Sequence, residues 1–415
     1  MGNLGAVNKL TAEEQQLLQN ATDLVPVLRE FGRKIDEDRH IPEELIQKIS
    51  QAGLFKLGTP KKYGGHEVSI RALIEIISEL ARGNGSVAWV VQIINGNNFN
   101  ASLCLGSEVL DSIFKQEEEI RFCSVLQARQ AIVRKTEGGY FIEHGLWGFG
   151  SGSKHATHAL LNLRDSKGMQ ENQGMLLAVV PMSQIKIIDD WYTMSLKGSA
   201  SNSLEMNNVF IEEQYVVVQE QEVIKGSSSM LRTLQGIDRY RPYANIISSL
   251  TTGIGAILGL ARGALEYFVD TAPRKGITLT IHRSQAEVGH IQYKVGLAAM
   301  KIESAHLHIN RSIENLENHM KSGEPFSKKE FAQIQTDIAY AAMLCTDAVD
   351  MVMAESGGSA IADSNPLSQI YRDIRGGANH ALTTASTGLE LYGRILFGLP
   401  PQHVFTISAA PLLRD

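Results

Sequence analysis

Hydrophobic positions change their spacing twice along this chain, and the two changes divide it into three stretches. From Thr11 to about Lys115 apolar residues recur at helical intervals. Leu17, Leu18, Ala21 and Leu24 make one face, and Thr11 followed by Glu14 gives a capping-box start. Between Ile120 and about Glu222 the interval shortens to two and turn residues multiply, as in Gly138-Gly139-Tyr140-Phe141-Ile142 and the runs LLAVVPM, IKII, SLEMNNVFI and YVVVQ. This stretch reads as an antiparallel sheet or barrel. After Gly226-Ser227-Ser228-Ser229 helical periodicity returns and predicts long helices over 231–268, 291–322, 328–354 and 370–396. The expected organisation is an N-terminal helical domain (1–119), a β domain (120–225) and a C-terminal four-helix bundle (226–415), mainly α with a central β domain.

One uncharged stretch, Pro242 to Ala261, has about the length of a membrane span. Asn245, Ser248, Ser249, Thr251 and Thr252 crowd its first half, so a buried bundle helix is the expectation. Gly255, Gly259 and Gly263 form a bare stripe on it where a neighbour can come close. Composition narrows the partners. Thirty-nine basic against 45 acidic residues leave a net charge of -6, and no basic, aromatic-interleaved stripe suits a phosphate backbone, so neither nucleic acid nor membrane is expected. Three scattered cysteines in apolar surroundings fit reduced thiols, and the N-terminus shows no apolar signal segment. A cytoplasmic protein is the expectation.

Most chemical signatures fail on geometry. Glu287/His290 and Glu303/His306 have the spacing of di-iron bundle ligands, but sixteen residues separate them, about 24 Å on one helix. They read as ordinary surface pairs. His155 and His158 would point to opposite faces of a strand and lack further zinc ligands nearby. Gly253-x-Gly255-x-x-x-Gly259 neither follows a strand nor has dinucleotide spacing, and no nucleophile elbow or phosphate loop occurs.

Three segments stand out. In GLWGFGSG, Gly145 to Gly152, Trp147 and Phe149 alternate onto one face while glycines leave backbone donors accessible, so the strand could cover a flat heteroaromatic ring or, equally, hold a core tryptophan beside a bulge. INGNNFN, Ile94 to Asn100, sets asparagines into an apolar helix, where they either cap an end or line a cavity. YRDIRGGANHALTT, Tyr371 to Thr384, has adjacent glycines that cost roughly 1 kcal/mol each in a helix interior, so something must approach the backbone just ahead of Asn379 and His380.

Taken in order, the chain resembles the acyl-CoA dehydrogenase superfamily. PEELIQKISQAGLFKLGTPKKYGGHEVS resembles its N-terminal helical signature, LKGSASNSLEMNNVFI the end of its β domain, IQYKVGLAAMKIESAH a bundle helix, and YRD at 371–373 the start of its last long helix. The usual glutamate base of that family falls at about Ala381, or near Ser249 in its alternative position, and neither region offers a carboxylate. Ser86-Val87-Ala88-Trp89, Trp147-x-Phe149-x-Ser151-Gly152, and Arg372-Asp373 followed by Gly377 and His380 resemble instead the two-component flavin-dependent monooxygenases. The stretch LQARQA at 126–131 departs from that branch.

The resemblance implies reduced flavin, FMNH2 ahead of FADH2, delivered by a separate NAD(P)H-dependent reductase to a homotetramer. Flavin and O2 would form a C4a-hydroperoxide that oxidises a small aromatic or heteroatom-bearing substrate. It implies His380 as the catalytic group, holding the peroxide or drawing a proton from a phenol, with a pKa near 6.5. Flavin would lie under Trp147, with Phe149, Gly152 and Gly377 beside it, Ser124 and Ser151 bonding its ring and Arg283 its phosphate. Gly376 and Gly377 would admit the flavin or its substrate. Trp89, Asn95, Asn98, Phe99 and Asn379 would line the substrate side. A dehydrogenase with a displaced base and a non-catalytic scaffold are the competing expectations.

Overall fold

The computed structural model describes residues 9–115, 119–164, 175–218, 236–403, 406–407 and 413. The Gly226–Ser229 turn and the expected boundary at 225/226 lie outside them.

The first stretch folds into α1 (Ala12–Glu30), α2 (Gly32–Asp38), α3 (Glu43–Gln51), α4 (Ile70–Gly83), α5 (Gly85–Cys104) and α6 (Ser107–Phe114). The capping box forms: the Glu14 N–H donates to the Thr11 hydroxyl at 3.2 Å and the Thr11 N–H to the Glu14 carboxylate at 2.8 Å. Helix α5 is apolar on almost every side and is buried on almost every side, because it runs through the centre of the molecule.

The middle stretch makes two four-stranded sheets, ordered β1-β4-β5-β8 and β2-β3-β7-β6. Their strands are β1 (Phe122–Val125), β2 (Ala128–Thr136), β3 (Gly139–Gly150), β4 (His158–Asn162), β5 (Leu176–Pro181), β6 (Lys186–Ile188), β7 (Asn202–Glu212) and β8 (Val216–Val218). Pairing is antiparallel except between β1 and β4, which run parallel. The inward residues Ile142, Trp147, Leu161, Ala178, Val180, Leu204 and Met206 fill a core between the sheets.

The last stretch is α7 (Ala244–Leu250), α8 (Ile254–Thr271), α9 (Gly289–Ser322), α10 (Lys328–Glu355), α11 (Pro366–Ala378) and α12 (Ala385–Leu396). Two of the expected long helices are broken. The first stops at 251–253, where Gly253 takes φ +91° and the hydroxyls of Thr251 and Thr252 turn back to the carbonyls of Ile247 and Ser248 at 2.8 and 2.7 Å. The last stops at 379–384, where the Thr383 hydroxyl donates to the Gly377 carbonyl at 2.6 Å and the Thr384 hydroxyl to the His380 carbonyl at 2.9 Å. Apolar periodicity runs straight through both breaks, which is why it reads as continuous helix. The segment 238–274 is long and apolar enough to cross a membrane, and most of it is buried inside the protein. The glycine stripe on α8 seats α4: a Cβ on Gly259 would stand 2.0 Å from the Ser78 carbonyl oxygen.

The histidine pairs do not behave as one class. His290 is exposed and reaches Glu355 at 3.4 Å, but His306 is buried rather than a surface residue, and burial pushes its pKa down to about 4. His155 sits in a short 3-10 turn, not in a strand.

Candidate active site

Helices α5 and α11 lie side by side, and bare backbone is what lets them. A Cβ on Gly85 would stand 3.2 Å from the Asp373 carboxylate, and one turn further on a Cβ on Gly377 would stand 3.4 Å from the Trp89 ring. A Cβ on Gly253, at the first helix break, would stand 3.0 Å from the same indole. Trp89 is therefore held between the two interruptions of the bundle. Its Nε1–H donates to the Ser151 hydroxyl of the β domain at 3.2 Å. Ser151 shares a hydrogen bond of 2.6 Å with the Ser201 hydroxyl, and Ser201 one of 2.7 Å with that of Ser199.

His380 follows directly after α11 and meets the Trp89 ring edge-to-face, with centroids 5.7 Å apart. Its Nδ1 accepts the Leu382 N–H at 3.3 Å, which assigns the remaining proton of the neutral ring to Nε2. Burial lowers its pKa from 6.5 to about 4. The expectation of an imidazole titrating near 6.5 is corrected: at neutral pH His380 is uncharged and offers one donor. The alternative role of drawing a proton from a phenol would need the opposite tautomer. The glycine question also has its answer. Gly376 accommodates Ser195, whose hydroxyl would be 2.1 Å from an added Cβ, and Gly377 accommodates Ile257 and Trp89. Protein side chains pack against both glycines.

In the β domain the two aromatic residues of GLWGFGSG part company. Trp147 is fully buried between the sheets and its Nε1–H donates to the Asn162 carbonyl at 2.8 Å, so it has no face to offer a ligand. A bulge between Trp147 and Gly150, with Phe149 at φ +66°, turns the next aromatic outward. Phe149 is 64% exposed, meets Trp191 edge-to-face at 5.8 Å and has the Arg129 guanidinium 5.5 Å above its ring. Of the two rings, Phe149 is the one that can cover a ligand. Gly152, at φ +74°, donates its N–H to the Ser199 carbonyl at 3.0 Å and packs against Val90 of α5.

The asparagines of α5 do not line a cavity. Asn95 is fully buried, donates to the carbonyls of Leu54 and Val91 at 2.7 and 2.9 Å, and accepts the Gly58 N–H at 3.0 Å. Asn98 donates to the Thr59 hydroxyl and the Ile120 carbonyl and accepts the Phe122 N–H, each at 3.0 Å. Both stitch loops to the central helix, which corrects their assignment to substrate. Phe99 is a core ring edge-on to Tyr240 at 5.0 Å. Ser124 is partly buried in β1, Asn379 caps the end of α11 and is exposed, and Arg283 is exposed on the loop after α8. Among the described residues neither Ser124, Asn379 nor Arg283 has a side-chain hydrogen bond to Trp89 or His380. Sequence reasoning passed over Ser199, Ser201, Gly253 and Thr383. The serines lay in plain view in LKGSASNS, but nothing in their spacing says that they meet Ser151.

Comparison with known proteins places the chain in a family. Residues 11–110 match the acyl-CoA dehydrogenase N-terminal domain and 252–385 the acyl-CoA dehydrogenase C-terminal domain, together more than half of the chain. The oxygenase component of p-hydroxyphenylacetate 3-hydroxylase from Acinetobacter baumannii is 26% identical over 93% of this chain and 90% of its own length. Indole-3-acetate monooxygenase from the same species is 26% identical over 95% and 98%. The structure of XiaF from Streptomyces sp. in complex with FADH2 and glycerol superposes with a TM-score of 0.86 at 27% identity, over 94% of this chain and 97% of that one. TdsC from Paenibacillus sp. A11-2, in a complex with FMN and indole, shares the fold at a TM-score of 0.78, 18% identity and 94% and 99% coverage. By the two domain matches and the fold between them, the chain belongs to the acyl-CoA dehydrogenase superfamily, and the relatives it matches over nearly its whole length include the flavin-dependent monooxygenase oxygenase subunit HsaA of Rhodococcus jostii, 23% identical over 92% of this chain and 98% of its own length.

Proposed function

We propose that this chain is the oxygenase component of a two-component flavin-dependent monooxygenase, oxidising a small aromatic or heteroatom-bearing substrate. The observation that carries the reading is the Phe149–Ser151–Trp89–His380 constellation. It joins an exposed ring and a hydroxyl on the β domain to a neutral imidazole from the bundle, where a dehydrogenase needs a carboxylate base. Bound reduced flavin supplies the electrons that activate O2. Phe149 offers it a flat contact and Arg129 a positive charge, while Ser151 offers a hydroxyl already held by Trp89. His380, edge-on to the Trp89 ring, would donate from Nε2 toward the oxygen being transferred.

Of the two flavins FMNH2 is taken first, supplied by a separate NAD(P)H-dependent reductase, and the setting is cytoplasmic, consistent with three buried free cysteines. Homotetramer assembly is supported by apolar residues left exposed at seven-residue spacing, Tyr293, Met300 and Leu307 on α9, and Leu389 and Leu396 on α12. Arg283, on a loop whose Leu279 and Ile281 are also exposed, would then serve the flavin phosphate of a neighbouring copy.

The test is anaerobic titration with reduced FMN and reduced FAD, followed by oxygen and candidate substrates in the presence of an unrelated flavin reductase. Saturable binding and substrate-dependent oxygen uptake are expected, with no NADH oxidation by the chain alone. Bleaching of tightly bound oxidised flavin by an acyl-CoA would overturn the reading in favour of a dehydrogenase, and absence of saturable flavin binding would favour a scaffold.

A further inference from the structure

Asp373 is fully enclosed at the α5–α11 contact, and only half of its carboxylate is used. Oδ1 accepts the Leu196 N–H at 2.6 Å, while Oδ2 is buried without a partner against Gly85. Leu196 is unusual in its own right. It takes the left-handed conformation at φ +47°, costly for a branched side chain, and Ala200 does the same at φ +45°. Such a loop persists only if its surroundings over-determine it, and each tie can be named. The Leu196 carbonyl accepts the Trp191 indole N–H at 3.1 Å and the Ser199 N–H at 3.0 Å. Trp191 is the ring that meets Phe149 edge-on, and Ser199 and Ser201 are the hydroxyls behind Ser151. Among the described residues, the side chain that anchors the Leu196 peptide to the bundle is that of Asp373.

We propose that Asp373 is a positioning residue for the Phe149–Ser151 face: its carboxyl holds the left-handed Leu196 against α11, and its ionisation loosens the loop 195–201. The inference rests on the flavin reading given above. Ionisation would place a charge on an oxygen that nothing solvates, between Gly85 and the apolar side chain of Leu260. Relief requires water, and water enters only if the loop lifts from the helix. The charged groups that face Asp373 are Asp36 from α2, Lys197 from the loop and Arg372 from its own helix. From α5 and α8 the wall is Gly85 and Leu260, which do not titrate. Arg372 and Lys197 are both engaged by Asp36, at 3.0 and 3.3 Å, so they neutralise one carboxylate rather than two. Burial raises the Asp373 pKa from 3.8 to about 7, with the Leu196 N–H opposing and Asp36 adding to the rise. A raised carboxyl pKa means that the folded state holds the proton more tightly. The stability contributed is fully present below about pH 3.8 and is lost as pH rises toward and through about 7.

The experiment compares wild type with D373N and D373A. Asn keeps an acceptor for the Leu196 N–H without titrating, and Ala removes it. Hydrogen exchange of the 196–201 amides, corrected for intrinsic rates, should quicken in the wild type between pH 6 and 8.5, stay slow throughout in D373N and be fast throughout in D373A. Anaerobic binding of reduced FMN should weaken about tenfold over the same range in the wild type and stay level in D373N, the scale of one hydrogen bond to a charged group. Thermal melting of each variant establishes that it is folded. A D373N protein that keeps the wild-type pH profile of amide exchange, or a folded D373A protein whose loop exchanges as slowly as wild type, overturns the proposal. If exchange responds as stated while FMN affinity does not move, Asp373 still holds the loop and it is the flavin face that has been misassigned.

Discussion

Trp89 and Trp147 are the two tryptophans that the sequence motifs single out, and both are buried with their N–H groups donated, yet they do opposite work. Trp147 bonds a backbone carbonyl within its own domain and fills the space between two sheets. Trp89 bonds a side-chain hydroxyl of another domain and is gripped by two helix breaks. The first holds a domain together, and the second holds two domains in register around a histidine. Burial alone does not separate a structural aromatic from a functional one. What separates them is whether the polar atom is spent inside the unit or across a junction.

The sharpest way to break the comparison is Trp147→Ala. Emptying that site should cost about 3–5 kcal/mol of stability, read as a large fall in the urea midpoint. Flavin affinity per folded molecule should change little. A variant that melts normally but fails to bind flavin would mean that Trp147 belongs with Trp89 after all.

His380→Ala comes next. Truncation should cost some stability through the lost Trp89 contact and Leu382 N–H bond, and should raise hydrogen peroxide release relative to product about five- to hundredfold, the scale of about 1–3 kcal/mol in the transferring step. Product yield against peroxide, measured with excess reductase, reads it. Next is Trp89→Phe, which removes the bond to Ser151 together with the outer indole atoms that pack on Gly253 and Gly377. The coupling between Trp89→Phe and Ser151→Ala should be about 1 kcal/mol, because both break the Trp89–Ser151 bond, while Ser151→Ala also gives up the bond to Ser201. Additive losses in that double-mutant cycle would show that the indole and the hydroxyl are not coupled.

The smallest effect concerns acid. His380 is held neutral in the fold with its pKa lowered to about 4, so the unfolded chain takes up the proton first as pH falls. Its share of stability is present above about pH 6.5 and is lost as pH falls toward and through about 4. His380→Gln should therefore flatten part of the melting-temperature decline between pH 6.5 and 4, leaving the rest to the similarly buried His155 and His306. An unchanged acid profile would argue that the imidazole is already solvated.

The halves of this comparison were unequally legible in the sequence. Helix periodicity, the Thr11–Glu14 cap and the alternating strands could be read because each depends on neighbours a few residues away. The site depends on interruptions. Periodicity carries on through Thr251–Gly253 and Asn379–Thr384, so the breaks that grip Trp89 read as helix, although the threonine pairs at both were the available sign. The bulge that turns Phe149 away from Trp147 was visible only as alternating glycines, which fit a flat strand equally well. Asn95 and Asn98 looked like cavity liners because an amide in an apolar helix is conspicuous, while the loop carbonyls that satisfy them come from some forty residues earlier in the chain.

The line of hydroxyls from Trp89 to Ser199 also has a direction. An indole nitrogen can only donate, so one lone pair of Ser151 is always occupied, and the Ser151 proton is free to point either to Ser201 or outward. Where it points to Ser201, that hydroxyl is left to donate to Ser199. An acceptor arriving at that face draws the Ser151 proton to itself. Ser201 must then rotate to donate to Ser151, and Ser199 to donate to Ser201. A ligand that accepts from Ser151 can thus set the polarity of the whole line, as far as the residue whose carbonyl holds Gly152, without any heavy atom having to move.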